Sequence, residues 1–275
     1  MGILICPFCG ADISKERGSY YCAGARRHCF DAAKSGYVTL TRAAGTSGDD
    51  RDMVRARTEF LDNGYYAQFA DAVSTALGEA NIVIDAGCGE GYYSNVIAHG
   101  GRSVYGFDLS KYACDKAAKR AKHEGNNAFF GVSSVFELPV ADKAADAVVC
   151  LFAPIAEKEF ARVLRDGGLL VVGAAGRRHL YELKQAIYDN AYENEGRRDL
   201  PSGFSEVDHI SVTYSFKCIG RDLKSLFLMT PYAFKTSLSD AAKLDGIESL
   251  DITADFDIFI YKKLEKDNPQ SGKGQ

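Results

Sequence analysis

The 275-residue chain contains no run of about 18 apolar residues, which excludes a membrane-spanning helix. Its first residues, Met1-Gly2-Ile3-Leu4-Ile5-Cys6-Pro7, include no basic stretch followed by a longer apolar one. A secretory leader is therefore not expected, and the cytoplasm is the expected compartment. No internal repeat is present. Neither sign of charge dominates: 33 Lys+Arg stand against 37 Asp+Glu, a formal net charge of −4. Taken as an average, that mild acidity argues against a nucleic-acid partner. What is present is 46% hydrophobic and 25% charged residues, the usage of a globular protein, so a mainly disordered chain is excluded. The length allows one large domain or two of ordinary size.

The averages hide an asymmetry. Cys6, Cys9, Cys22 and Cys29 fall in the first 29 residues, while Cys88, Cys114, Cys150 and Cys218 are scattered singly. Residues 1–48 hold six basic side chains (Lys15, Arg17, Arg26, Arg27, Lys34, Arg42) against three acids (Asp12, Glu16, Asp31). That leaves the remaining 227 residues with 27 basic against 34 acidic side chains. A small, basic, Cys-rich module is joined to a larger acidic body, and local charge, rather than the total, governs contact with phosphate.

Residues 1–40 read as short strands and turns around paired cysteines. Residues 41–52 have linker composition. A helix is expected from Met53 to near Gly64, with Asp50 or Asp52 as its N-cap and Met53, Phe60 and Leu61 on its apolar face. A second runs from residue 66 to Gly78. Strands then alternate with helices. The strands are Asn81–Asp85, Ser103–Asp108, Ala128–Val132, Ala145–Phe152 and Leu169–Ala174. The helices are Tyr92–His99, Ser110–Glu124 and Glu157–Leu164. This alternation implies an α/β fold with a mostly parallel sheet covered on both faces. A helix from His179 to about Asn190 and strand-like segments near 209–217 and 254–262 complete a body spanning 53–265. The tail 266–275 reads as disordered.

Cys6-Pro7-Phe8-Cys9 is a C-x₂-C knuckle, followed by Cys22 and then by adjacent His28 and Cys29. Such a turn presents two sulfurs to one metal, and tetrahedral Zn²⁺ needs four thiolate or imidazole ligands. The spacing is that of a zinc ribbon, with His28 or Cys29 as the fourth ligand. A fold of about 40 residues commonly needs such a metal. Disulfides fit the expected compartment poorly, and a redox C-x-x-C lacks its βαβ setting. Arg17, Arg26, Arg27 and Lys34, interleaved with Tyr20, Tyr21, Phe30 and Tyr37, suit phosphate attraction and base stacking.

Asp85-Ala86-Gly87-Cys88-Gly89-Glu90-Gly91 follows an apolar strand and opens a helix. Glycines at 87, 89 and 91 allow a tight turn and close backbone approach to a ligand. Asp85 ends the first strand and Asp108 the second. An acid at the latter place typically accepts from ribose hydroxyls. D-x-G-x-G with such an acid is the pattern of class I S-adenosylmethionine methyltransferases; a dinucleotide-dependent oxidoreductase is the rival. Leu138-Pro139, Asp146 and the turn Arg165-Asp166-Gly167-Gly168-Leu169 agree with the first reading. The acid usual after the third strand is replaced by Ser133-Ser134, so adenine recognition there falls to hydroxyl or backbone groups.

Several segments together resemble the zinc-containing 23S rRNA guanine-N1 methyltransferases. They are Cys6-Pro7-Phe8-Cys9; His28 with Phe30-Asp31 and Ala33-Lys34; Gly36-Tyr37-Val38; and Phe60-Leu61-Asp62-Asn63-Gly64-Tyr65-Tyr66. They continue with Asp85 to Tyr93, Phe152-Ala153-Pro154, Arg178-His179-Leu180, Glu182-Leu183-Lys184 and Met229-Thr230-Pro231-Tyr232. The resemblance implies a Rossmann-like class I methyltransferase fold with a small N-terminal zinc ribbon for rRNA recognition. It implies Cys6, Cys9, Cys22 and His28 as zinc ligands, and cofactor contacts from Tyr66, Gly91, Tyr92 and His179. The implied reaction is methyl transfer from S-adenosylmethionine to N1 of a guanine in a 23S rRNA hairpin loop, and a homodimer is plausible by the same likeness. N1 lies on the pairing edge, so the guanine must be unpaired or flipped out; Phe152 and Tyr232 are candidates to stack on it. Nothing in the sequence identifies the group that assists loss of the N1 proton; related folds place the target base at Phe152-Ala153-Pro154, which makes the backbone there the candidate. The alternatives are a class I methyltransferase acting on a small molecule or protein with zinc as scaffold, and a non-catalytic zinc-ribbon RNA-binding protein.

Overall fold

The computed structural model describes residues 2–42, 48–196 and 200–265. The middle of the expected linker, 43–47, and the expected disordered tail, 266–275, lie outside the described residues. Among the described residues no helix is long and apolar enough to cross a membrane.

The N-terminal module is a three-stranded antiparallel sheet of β1 (Ile13–Glu16), β2 (Ser19–Cys22) and β3 (Cys29–Asp31). The chain then enters the main sheet as β4 (Val38–Thr39), which will lie at one edge. Next come α1 (Arg51–Asp62), α2 (Ala67–Ala76), β5 (Ile82–Ala86), α3 (Tyr92–His99), β6 (Ser103–Asp108), α4 (Lys111–Glu124) and β7 (Ala128–Val132). The body continues with β8 (Ala145–Leu151), α5 (Glu157–Val163), β9 (Leu164–Ala175), α6 (Tyr181–Ile187), β10 (Phe204–Ile219), α7 (Gly220–Leu228) and β11 (Ser249–Lys263).

Local chemistry sets these boundaries. The Asp50 carboxylate accepts from the backbone N–H groups of Asp52 and Met53, so α1 starts at Arg51, two residues before the expected Met53. The Ser110 hydroxyl caps α4 at Ala113 N–H, and Gly125 in the left-handed region ends it. The expected turn at 165–168 is a bulge inside β9: Ala145 pairs with Leu164, but Ala147 already pairs with Leu169. The segments near 209–217 and 254–262 are parts of a long antiparallel hairpin, β10 with β11, whose alternating exposure reflects one buried face. Its connection holds α7 and short helical turns, which sequence patterning did not reveal.

The main sheet has the order β10-β11-β9-β8-β5-β6-β7-β4. β5 pairs in parallel with both β6 and β8, and its buried run Val83-Ile84-Asp85-Ala86 lies at the middle of the sheet. The strand order reverses there, leaving a crevice at the carboxyl ends of β5 and β8, where open α/β sheets bind ligands. The N-terminal module is sewn onto the edge of the sheet formed by β7 and β4 and onto the segment that follows β7. Ile5 N–H donates to Pro139 O (3.0 Å), Ala141 N–H to Ile3 O (2.9 Å) and Leu40 N–H to Val132 O (2.9 Å). Ile3, Leu4, Ile13, Phe30 and Val38 are buried in one apolar cluster with Phe107, Val140 and Phe160 of the body.

Candidate active site and zinc centre

A cavity of about 620 Å³ opens at the carboxyl ends of the central strands. Gly87, Gly89, Asp85 and Asp108 line it, together with Tyr66 and His179. Gly87 has φ +83°, and a Cβ there would come within 2.6 Å of the Ala153 side chain, so the loop admits no larger residue. Gly87 and Cys88 N–H both donate to Phe107 O, tying the turn to β6. Gly91 does not line the cavity. It begins α3 at φ +78°, and its lack of a side chain lets α4 approach: a Cβ would lie 2.5 Å from Ala117 Cβ.

Asp108 orders the loop. Its carboxylate accepts from Gly89 N–H (3.0 Å) and Ser110 N–H (2.8 Å). A carboxylate has further lone pairs, so it still has capacity for ligand hydroxyls. Asp85 is buried and accepts from Ser94 Oγ at 2.5 Å. Burial pushes its carboxyl up to about 7 against the opposing Ser94 hydrogen bond, and Asp108 and Glu90 push in the same direction as burial. Glu90 is also buried and raised by burial, with Arg57 opposing. Arg57 pairs with Asp49, and both line the cavity. Four acids against one guanidinium suit a ligand that carries positive charge.

His179 is buried, and desolvation pulls it down to about 3, so the imidazole is neutral. Its Nδ1 faces Asp255 N–H (3.3 Å) and therefore accepts, which places the ring proton on Nε2. Nε2 lies 3.3 Å from the Tyr66 hydroxyl. With Nε2 donating, the Tyr66 hydroxyl is left with its own hydrogen to offer. Burial raises its pKa well above the ordinary value, which keeps that hydrogen in place.

Tyr92 is not among the cavity-lining residues; its ring packs on Tyr93 and lies 5.7 Å from the Arg120 guanidinium. Tyr93 lines the cavity in its place. Ser133 and Ser134 both line the cavity, but the Ser133 hydroxyl already donates to Glu137 O (3.0 Å). Phe152, at the end of β8, has φ +56° and an exposed ring at the cavity. A left-handed bulky residue is strained, and such strain clusters at functional sites. Tyr232 lines the same cavity, held up to about 12 by burial. Its hydroxyl lies 3.5 Å from Asn194 Oδ1, which also accepts from the buried Lys184 Nζ (2.6 Å). Asn194 Nδ2 donates to His179 O (3.0 Å), so one network supports both His179 and Tyr232.

Sequence reasoning missed Asp49, Arg57, Glu90 and Asn194 as cavity residues. Glu90 belongs to the glycine motif and could have been found there. Asp49 lies in linker-like sequence, and Arg57 and Asn194 carry no local signal.

At the other centre, Cys6, Cys9, Cys22 and His28 bring their ligand atoms within 4.8 Å of one another. Cys9 Sγ lies 3.7 Å from Cys22 Sγ, and His28 Nδ1 lies 3.4 Å from the sulfurs of both Cys6 and Cys22. Tetrahedral zinc with ordinary bond lengths requires ligand separations of about 3.8 Å for two sulfurs and about 3.6 Å for sulfur to nitrogen. The donor set fits the ion. Gly24 leaves the space it needs, since a Cβ there would lie 2.9 Å from Cys9 Sγ. Burial raises the Cys22 thiol, but hydrogen bonds from His28 and Gly24 N–H outweigh it and bring the group to about 6. His28 is thus the fourth member of the cluster, and Cys29 is exposed on β3, with its sulfur 3.7 Å from Asp31 Oδ1.

Two family models match separate parts of the chain. The family model described as "Methyltransferase domain" matches residues 83–168, and the zinc-ribbon model described as "RlmA, N-terminal" matches residues 4–42. The chain is 34% identical over 194 residues to the 23S rRNA (guanine(748)-N(1))-methyltransferase of Streptomyces fradiae, covering 67% of each protein. A protein of Micromonospora griseorubida is 30% identical over 272 residues, covering 88% of this chain and 89% of its own length. A Bacillus subtilis protein, YxjB, is 28% identical over 276 residues, covering 94% and 96%. Both of these bear the provisional name 23S rRNA (guanine-N(1)-)-methyltransferase. With its zinc-ligand tetrad and its acid-lined cavity both in place, the chain belongs to the 23S rRNA (guanine-N1)-methyltransferase family.

Proposed function

We propose that this protein transfers a methyl group from S-adenosylmethionine to N1 of an unpaired guanine in a hairpin loop of 23S rRNA. The observation that carries the reading is the presence, in one chain matched nearly end to end by relatives of that name, of a Cys3His tetrad and an acid-lined cavity at the strand reversal.

When bound, S-adenosylmethionine supplies a methyl group on an electrophilic sulfonium. The protein's task is to align and to exclude water. Asp108 accepts from the ribose hydroxyls while its other contacts hold the glycine loop. Asp85 faces the cationic amino group, whose charge favours its ionised form. Tyr66, oriented by His179, donates to the carboxylate. Gly87 and Gly89 let the backbone approach, and Ser133 and Ser134 border the adenine side. Tyr92 contributes through packing on Tyr93 rather than by contact.

Guanine N1 carries a proton at neutral pH, and an acceptor must assist its loss. We assign to the backbone carbonyls of the Phe152–Pro154 turn the hydrogen bond that holds and orients N1–H; a neutral amide carbonyl does not keep the proton, which passes to solvent water as the N1–methyl bond forms and the sulfur–methyl bond breaks. The exposed Phe152 ring and the Tyr232 ring flank the cavity and can stack on the extruded base. Cys6, Cys9, Cys22 and His28 would hold zinc as a closed structural site that stabilises the knuckle and leaves no open position for substrate.

Primer extension tests the substrate. 23S rRNA from a strain lacking the gene should lose one N1-methylguanine stop, and a plasmid copy should restore it. Persistence of every stop would reject the assignment.

A further inference from the structure

A second cleft, of about 490 Å³, lies between the N-terminal module and the starts of β6 and β7. It is at the far end of the strands from the methyl-transfer cavity, separated by the length of β6, about 20 Å for its residues Ser103–Asp108. Three lysines line it: Lys15 on β1, Lys34 in the loop before β4, and Lys122 in the last turn of α4. All three are exposed, and none makes an ion pair among the described residues. No Asp or Glu is among the described residues lining the cleft. Of the acids nearest in sequence, Glu16 pairs with Arg27 (2.5 Å), Asp31 accepts from Ser19 Oγ (2.9 Å), and Glu124 hydrogen-bonds with His99 Nε2 (3.1 Å) and accepts from Asn126 Nδ2 (2.9 Å). This cationic patch belongs to a protein that is acidic overall.

Between the lysines is an aromatic floor. Tyr20 meets Phe129 edge-on at 5.7 Å, and Tyr105 lies 5.9 Å from Phe129. All three rings are partly exposed, and the Lys15 ammonium lies 5.7 Å from the Tyr20 ring centre. Lysines free of ion pairs around partly exposed aromatic rings form the kind of arrangement that holds single-stranded nucleic acid: charge follows the phosphates and bases stack without sequence preference.

The N-terminal module spans the two ends of the sheet edge. Its zinc knuckle is close to the segment after β7 that borders the methyl-transfer cavity: Ile5 N–H donates to Pro139 O, and Arg42 Nη2 to Phe8 O (3.3 Å). Its β1–β2 hairpin reaches the lysine cleft. We propose that the Lys15–Lys34–Lys122 cleft is a second RNA-binding site, which takes an unpaired stretch of the substrate rRNA away from the methylated base. The proposal rests on the rRNA reading above, and it assigns this site affinity and register rather than chemistry.

The test is filter binding of in-vitro-transcribed 23S rRNA from about 50 to about 200 mM KCl, where phosphate contacts dominate the salt dependence. The variant K15Q/K34Q/K122Q should lose about two units of the slope of log K against log[salt], given about 0.7 per phosphate on a single strand. It should bind about 10- to 100-fold more weakly near 0.1 M salt. The variant K15R/K34R/K122R should keep wild-type slope and affinity, and S-adenosylmethionine affinity should be unchanged in both. A Gln variant that binds within about twofold of wild type with the same slope would overturn the site. So would a wild type whose RNA binding does not depend on salt. The two readings fail separately. Lysine-dependent binding without any N1-methylguanine formed would refute the proposed function and keep this site. Methylation with lysine-independent binding would do the reverse.

Discussion

Replacing Asp85 by Asn gives the most quantitative test of the site's electrostatics. Asn keeps a carbonyl for the Ser94 hydroxyl but cannot ionise. In the ligand-free protein, burial carries the Asp85 carboxyl from an ordinary 3.8 up to about 7. The native state then holds a proton that the unfolded chain has released, throughout the window between those values. The sign follows: raising pH through this window lowers stability, because the native state binds more protons than the unfolded one. Three units correspond to about 4 kcal/mol across the whole window, more than half of it between pH 5 and pH 8. The assay is urea unfolding of ligand-free wild type and D85N at those two pH values. D85N should gain on wild type by about 2–3 kcal/mol from the lower pH to the higher. The same variant should bind S-adenosylmethionine far more weakly, since it lacks the charge that faces the amino group. A stability gap that moves by less than about 0.5 kcal/mol between the two pH values would refute the argument that Asp85 is held protonated by burial.

Two further perturbations address the other parts of the site. Purified protein should contain about one zinc per chain, and Cys22→Ser should lose it with a lowered melting temperature, because structural zinc contributes directly to folding; a zinc-free wild type with the same melting curve would contradict the tetrad. Tyr66→Phe keeps the ring against Phe60 and Phe256 but removes the hydroxyl. Calorimetry should then show S-adenosylmethionine affinity falling about 10- to 100-fold, the worth of one hydrogen bond to a charged group, and urea unfolding should show a loss of about 1–3 kcal/mol, because the buried His179 Nε2–H loses its acceptor. Equal affinity would remove Tyr66 from the cofactor site.

Much of this architecture was legible in the residues. Asp85, Gly87, Gly89 and Asp108 lie at or just after strand ends that apolar runs mark clearly, and the structure places them around the cavity at the strand reversal, whereas Gly91 serves the packing of α3 on α4. Ser110 is the expected cap, and Asp50 is the one of the two expected candidates that caps α1. Cys6, Cys9 and Cys22 were fixed by spacing, whereas the choice between His28 and Cys29 depended on resemblance. The geometry explains that choice: Cys29 alternates outward on β3, while the His28 ring turns back to the sulfurs.

The remainder depends on tertiary placement. Tyr92 and Tyr93 are adjacent at a helix start, and only the packing of α3 decides which ring faces the cavity. Asp49 lies in sequence of linker composition, yet its carbonyl accepts from Ser110 Oγ (2.6 Å) and its carboxylate pairs with Arg57. Lys184 belongs to the Glu182-Leu183-Lys184 segment, but its burial beside Tyr192 and Tyr232 comes from contacts that no local pattern encodes. Likewise, α7 was not legible because it is a short helix inside a hairpin connection.

The most direct test of the central claim is in-vitro methylation with purified protein, S-adenosylmethionine and unmodified 23S rRNA, followed by nuclease digestion and mass spectrometry of the nucleosides. Wild type should yield one N1-methylguanosine per transcript and Asp85→Ala none. Methylation at another atom or another base, or no incorporation by a zinc-loaded, cofactor-binding protein, would contradict it.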